Sequence, residues 1–360
     1  MRKPHLDGLR FILFLIVFTV HYAPNPLRLG YLGYAMPVFF VMSGFLITNL
    51  LVSAERYDLA TKLKVFYGRR ILRIFPSYFL IIGALIAAGA LTYPGYFLSY
   101  LANVKLFAIS LDPQSPAFID WLHGGWRRES WHLWTMSVEE QFYILYPLAL
   151  YLTPARYRVR MLFAVVLASI ASRFFFKAYL PQSFYGALLP VCAEFFAWGC
   201  LFACFEAGRK LERVPPAPTL YVSFFVVVIL VAVEFSLEQE GFLQFRTTHY
   251  QTPISLALGF FIWALWTLGP ANIVVRALSW RPLVYLGEMS FTLYLTHLLA
   301  LDVFLAMKIQ LPFSPTVNNA VGGLATCLVM SALIWHLYEK PMYSFRRYIN
   351  FTRAASLKLS

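Results

Sequence analysis

The chain has 360 residues, 60% of them hydrophobic and only 13% charged, and its mean hydropathy is +0.64. A soluble domain carries about 25% charged residues, so this composition excludes a soluble globular enzyme and predicts an all-α, polytopic integral membrane bundle in which residues 1–360 form one domain. The formal charge of +13 is gathered into clusters between apolar runs, a positive-inside pattern that argues against nucleic acid and for membrane lipid as the surroundings.

Apolar runs long enough to span a bilayer, or nearly so, predict about ten transmembrane helices, at about 7–24, 32–53, 74–92, 134–153, 160–177, 185–206, 217–235, 252–269, 284–307 and 317–338. Arg2 and Lys3 before the apolar run Phe11 to Val20 resemble a secretory signal. That run ends at His21-Tyr22 without a clear small-x-small cleavage site, so it is read as an uncleaved first helix. With both termini cytoplasmic, twenty-one of the thirty basic residues fall on inside segments. Eight, among them Arg28, Lys105, Arg127, Arg128, Arg173 and Arg246, fall on or near the outer side. The acidic loop with Glu234, Glu238 and Glu240 then lies outside. Pro94 to Leu111 is apolar but broken by Asn103 and Lys105, and is expected at the surface or as a re-entrant piece.

A charged side chain in hydrocarbon costs roughly 2.5–3.5 kcal/mol on insertion scales, which makes every intramembrane ionisable group a functional candidate. In the first span Asp7, Arg10 and His21 share a face, with Arg10 and His21 about 16 Å apart along the axis. This stripe reads either as an interfacial Asp7–Arg10 pair with His21 bonded to a neighbouring helix, or as a functional layout. Ser43-Gly44 in the second span reads as a close-packing spot or a site. Arg69, Arg70 and Arg73, at the cytoplasmic entry to the third span, are either a headgroup anchor or a phosphate grip, for which guanidinium forks are suited.

The segment Trp131 to Tyr143 leads into the fourth span with Glu139, Glu140 and Gln141 at its start. Ser137 is a possible cap there, but two adjacent carboxylates exceed what capping needs. Trp121, Trp126, Trp131 and Trp134 read as an aromatic belt or as sugar-stacking rings. Glu194 in the sixth span is a lone carboxylate, and His297 poses the same choice between packing and site. Tyr338-Glu-Lys-Pro341 reads as a helix end with a surface ion pair. Cys200 and Cys204 form a conceivable metal half-site, but all four cysteines lie in apolar stretches and are read as buried packing residues. No metal is expected.

Taken together these segments resemble the acyltransferase-3 family of membrane O-acyltransferases. Leu6-Asp-Gly-Leu-Arg10 with His21 is similar to its first-helix motif, and Phe39-Phe-Val-Met-Ser-Gly-Phe-Leu-Ile47 to its second. Arg69-Arg-Ile-Leu-Arg73-Ile-Phe-Pro is similar to its basic motif. Trp134-Thr-Met-Ser-Val-Glu-Glu-Gln-Phe-Tyr143 is the most specific match, with Met136 in place of a more usual Leu. Tyr285 to His297 and Glu339-Lys-Pro341 resemble its C-terminal end.

The resemblance implies transfer of an acyl group, usually acetyl from acetyl-CoA, to a hydroxyl. The implied acceptor is a sugar of a surface polysaccharide or lipid-linked glycan, and the implied location a bacterial inner membrane. The chain ends about twenty residues after its last span, which fits the type without a fused esterase-like domain. In the implied site His21 is the base or nucleophile, with Glu139 or Glu140 orienting it or the acceptor. Arg10, Arg69, Arg70 and Arg73 hold the donor phosphates. Asp7, Ser43, Ser137, Gln141 and His297 have supporting roles. A secondary transporter or flippase is the rival class, but such proteins are built from repeated halves and no such pairing is seen. An acyltransferase of the other polytopic superfamily, with a late catalytic histidine, has His297 as its candidate.

Overall fold

The computed structural model describes residues 3–22, 34–121, 123, 130–237 and 249–350. Arg28, Trp126, Arg127, Arg128, Glu238, Glu240 and Arg246, which enter the sequence reading, lie outside the described residues. Helices form at all ten expected places. They are α1 (Pro4–Tyr22), α2 (Ala35–Ser53), α3 (Leu59–Ala87), α4 (Trp134–Leu152), α5 (Arg158–Tyr179) and α6 (Leu189–Ala207). There follow α7 (Pro216–Leu237), α8 (Gln251–Thr267), the pair α9 (Arg281–Glu288) and α10 (Ser290–Ala306), and α11 (Pro315–Ile334). Among the described residues seven helices are long and apolar enough to cross a membrane, or eight if the pair α9–α10, bent by 72°, is one broken span. The protein is a multi-pass helical membrane bundle.

Two boundaries move for identifiable reasons. The third helix begins at Leu59, where the Asp58 side chain caps it by accepting from the Thr61 amide at 3.1 Å. Arg69, Arg70 and Arg73 therefore lie well inside a helix of 29 residues instead of before it. An apolar run stops at the first charge, whereas Lys and Arg are good helix formers whose long stems reach water from within a span. The last span runs from α11 into a π-helical turn, Trp335–Glu339.

Close packing sits where α2 crosses α6. A Cβ on Gly44 would lie 2.2 Å from the Phe196 carbonyl oxygen, and one on Gly199 would lie 2.0 Å from that of Val41. Only glycine lets the two backbones touch in this way, so the Gly44 half of Ser43-Gly44 is a packing position. Cys200 is spent at the same crossing, its Sγ donating to the Gly44 carbonyl at 3.5 Å.

Several residues predicted at surfaces or left unpaired are instead internal ties. Asn103, which breaks the apolar run, is buried in a short helix, Ala102–Ser110. Its amide exchanges hydrogen bonds of 3.2 and 2.9 Å with Gln141. Ser137 does not cap α4, whose N-cap position Leu133 holds; its buried hydroxyl instead accepts from the Ala102 amide, at the start of that short helix, at 3.2 Å. Trp121 packs on Phe184 and Trp131 on Phe97 inside the fold.

Glu194 is not alone. It pairs at 2.7 Å with Arg173, which is only 3% exposed. Thr252, Gln251 and Ser255 complete that cluster. Glu339 is likewise no surface ion-pair member, because it is buried and accepts from Ser77 at 3.0 Å and from Thr292. It thereby ties α3 and α10 to the turn that follows α11.

Candidate active site

The two ends of the α1 stripe sit in different surroundings. At one end Arg10 Nη1 meets Asp7 Oδ1 at 2.5 Å, one helical turn away. At the other, His21 Nδ1 lies 3.0 Å from Nε2 of His297 on α10. His297 is fully buried, and its Nδ1 lies 2.7 Å from the backbone oxygen of Tyr294. A carbonyl oxygen only accepts, so Nδ1 of His297 carries the proton. In neutral His297 the other nitrogen, Nε2, is then an acceptor, and Nδ1–H of His21 must be its donor. This chain leaves the His21 lone pair on Nε2, where a general base needs it. Tyr22, next to His21, donates its hydroxyl to the His297 carbonyl and holds α1 against α10.

A third histidine joins them. His132, just before α4, has Nε2 at 3.1 Å from the same Tyr294 carbonyl. Its ring centre is 4.6 Å from that of His297 and 6.5 Å from that of His21. Tyr294 returns the contact, its hydroxyl donating to the His132 carbonyl at 2.7 Å and bonding Thr135 at 2.7 Å. Among the described residues no group of three or more His, Cys, Asp or Glu side chains is arranged to hold a metal ion.

From this cluster a polar seam runs down one face of α4. Thr135, Glu139 and Tyr143 follow at helical spacing and cover about 12 Å of rise. Ser43 on α2 donates to Glu139 Oε1 at 2.8 Å and lies 3.3 Å from the Tyr143 hydroxyl. The Ser43 side chain thus belongs to the seam while its neighbour Gly44 serves packing. Over the Tyr143 ring, 4.5 Å from its centre, lies the Arg70 guanidinium. The charges of Arg70 and Arg73 are felt in turn at Arg10. So α1 and α4 each carry a polar stripe, and the two stripes join the same pair of regions. Glu140 is turned off this face, buried, with Oε1 lacking a hydrogen-bond partner.

Arg69, Arg70 and Arg73 line a cleft of about 600 Å³ together with Arg346, Arg347 and Tyr343 from the segment after α11. Arg69 also holds that segment, through Nε to the Ile349 carbonyl at 2.9 Å. The lining includes neither Glu139 nor His21. The structure therefore brings His21 to His297, Glu139 to Ser43, and three of the four predicted donor-site arginines to one cleft. The cleft lining leaves out Arg10, paired with Asp7, and Ser137 and Gln141 are spent on scaffold contacts.

Sequence reasoning missed His132, Thr135, Tyr143, Arg346 and Arg347. His132, Glu139 and Tyr143 recur at separations of seven and four, a helical stripe that was there to be counted. The Tyr294 carbonyl gives no signal in sequence, because every residue has one.

Residues 4–338 match the family model described as acyltransferase domain, that of the acyltransferase-3 family. The chain belongs to this family. It is 27% identical over 362 residues to a putative peptidoglycan O-acetyltransferase, YrhL, of Bacillus subtilis, covering 94% of this chain and 54% of that protein. The O-acetyltransferase OatA of Staphylococcus aureus is 27% identical over 309 residues, with 82% of this chain and 50% of that protein covered. The peptidoglycan O-acetyltransferase OatA of Listeria monocytogenes is 23% identical over 366 residues, with 94% and 55% covered. The chain spans about half the length of the curated relatives it matches. No solved structure matches it. For an acyltransferase-3 chain, the histidine relay is the feature that most resembles machinery for moving a proton.

Proposed function

We propose that this protein transfers an acetyl group from acetyl-CoA to a hydroxyl of a cell-envelope glycan, with peptidoglycan the acceptor class that its relatives' names favour. The observation that carries the reading is the chain His21–His297–Tyr294 carbonyl, at 3.0 and 2.7 Å. In the proposed step His21 Nε2 takes the proton of the acceptor hydroxyl as its oxygen attacks the thioester carbonyl. The C–S bond then breaks, the acetyl group stays on the oxygen, and the thiolate leaves as CoA. Its departure needs little acid assistance, since a free thiol has a pKa of about 8.5. The imidazolium formed at His21 shares its charge with His297, whose own proton stays anchored on the Tyr294 carbonyl.

The donor is assigned to the arginine cleft because its lining gathers five guanidinium groups, and acetyl-CoA carries its charge on phosphates. Both termini then face the cytoplasm, in a bacterial inner membrane. Asp7 positions Arg10, and Glu139 with Ser43 and Tyr143 lines the path between donor phosphates and base. Purified protein in lipid nanodiscs tests the reading, with acetyl-CoA as donor and an N-acetylglucosamine pentasaccharide as acceptor. Free thiol should appear with acetylated sugar in equal amounts, and only when both substrates are present. Acceptor movement across a vesicle membrane without thiol release would favour a transporter instead.

A further inference from the structure

The three histidines are not used alike. His21 and His297 bond to each other, and His297 and His132 both meet the Tyr294 carbonyl. The carbonyl requires a proton on His132 Nε2, so the lone pair of that neutral ring sits on Nδ1. His132 is 5% exposed, and its Nδ1 has no hydrogen-bond partner. A buried acceptor left without a donor is costly and rare in native structures. Here it sits in a polar cluster with its ring centre 6.5 Å from that of His21. A neutral imine nitrogen takes an O–H or N–H donor. It gives nothing to a carbonyl, a thioester or a phosphate, so the donor's charged and reacting groups do not suit it.

We propose that His132 Nδ1 binds a hydroxyl of the carbohydrate acceptor and so holds the sugar against His21. This deepens the transfer reading and rests on His21 being the base. His132 is then an acceptor-binding residue, and the Tyr294 carbonyl sets two tautomers with one atom. It presents the base nitrogen of His21 through His297, and the sugar-binding nitrogen of His132 directly. An amide N–H of the donor's pantetheine arm is the competing occupant, and its kinetic signature differs.

The variants exploit the two nitrogens separately. His132→Gln can keep a donor to Tyr294 but loses the Nδ1 acceptor, whereas His132→Asn keeps an acceptor oxygen near the Nδ1 position. With acetyl-CoA and the N-acetylglucosamine pentasaccharide, His132→Gln should raise KM for the sugar about five- to tenfold, the worth of one neutral hydrogen bond. Its kcat and its KM for acetyl-CoA should stay within about twofold of the parent, and His132→Asn should recover most of the sugar KM. An unchanged sugar KM, or a shift confined to acetyl-CoA, would overturn the assignment. Should His132→Gln fail to fold, histidine ¹⁵N spectra of the unaltered protein decide. The pyridine-type resonance of His132 must move when the pentasaccharide saturates the site, and an unmoved resonance refutes the proposal. Failure of the base reading is distinguishable, because it would show as turnover in His21→Ala.

Discussion

Arginine is placed in this bundle in two opposite ways. Arg173 is 3% exposed and meets the fully buried Glu194 at 2.7 Å, with Thr252 on its second terminal nitrogen. That charge is cancelled within the fold. The cleft beside α3 gathers Arg69, Arg70, Arg73, Arg346 and Arg347, and its described lining holds no Asp or Glu. Like charges crowded together repel, and in the proposed reading the donor's phosphates relieve that repulsion. The first cluster locks α5, α6 and α8 together. The second is the proposed donor site, and the polar seam on α4 runs between it and the histidines.

The largest expected effect breaks the closed cluster. Glu194→Ala strands a buried guanidinium and should cost about 3–5 kcal/mol of stability, read as lost folded yield and a fall in melting temperature in detergent. Next comes the relay. His297→Ala frees the tautomer of His21 and should lower kcat about a hundredfold, within the range ascribed to a positioned base, with little change in KM for acetyl-CoA.

The open cluster should respond differently. Arg73→Ala should raise KM for acetyl-CoA about tenfold, the order of one charge-assisted hydrogen bond. That penalty should shrink as salt screens the parent's attraction; a salt-independent loss confined to folded yield would make the cleft a scaffold like Arg173–Glu194. The smallest effect belongs to Ser137→Ala, which leaves the Ala102 amide without its acceptor. A stability loss of about 1 kcal/mol with unchanged kinetic constants would keep Ser137 out of the chemistry.

Periodicity and hydropathy made all ten helix positions legible, because lipid-facing apolar runs leave a strong local signal. Where each helix began was less so: α3 starts fifteen residues before its predicted edge, since charged residues that snorkel look like a break. The α1 stripe of Asp7, Arg10 and His21 could be read from one helix alone. The partner of His21 could not, because His297 lies 276 residues away and its tautomer is set by a backbone carbonyl. Glu194 and Glu339 misled for the same reason. A carboxylate looks lone or exposed when the residues that satisfy it, Arg173 for one and Ser77 and Thr292 for the other, come from different helices.

The central claim is that His21 is the base of an acyl transfer. The most direct test is the rate of thiol release from acetyl-CoA, in the presence of the N-acetylglucosamine pentasaccharide, by His21→Ala in nanodiscs. Transfer should fall by about a thousandfold or more, as expected for loss of a general base, while acetyl-CoA still binds with parental affinity. Turnover within a few-fold of the unaltered protein would contradict the account and remove His21 from the mechanism.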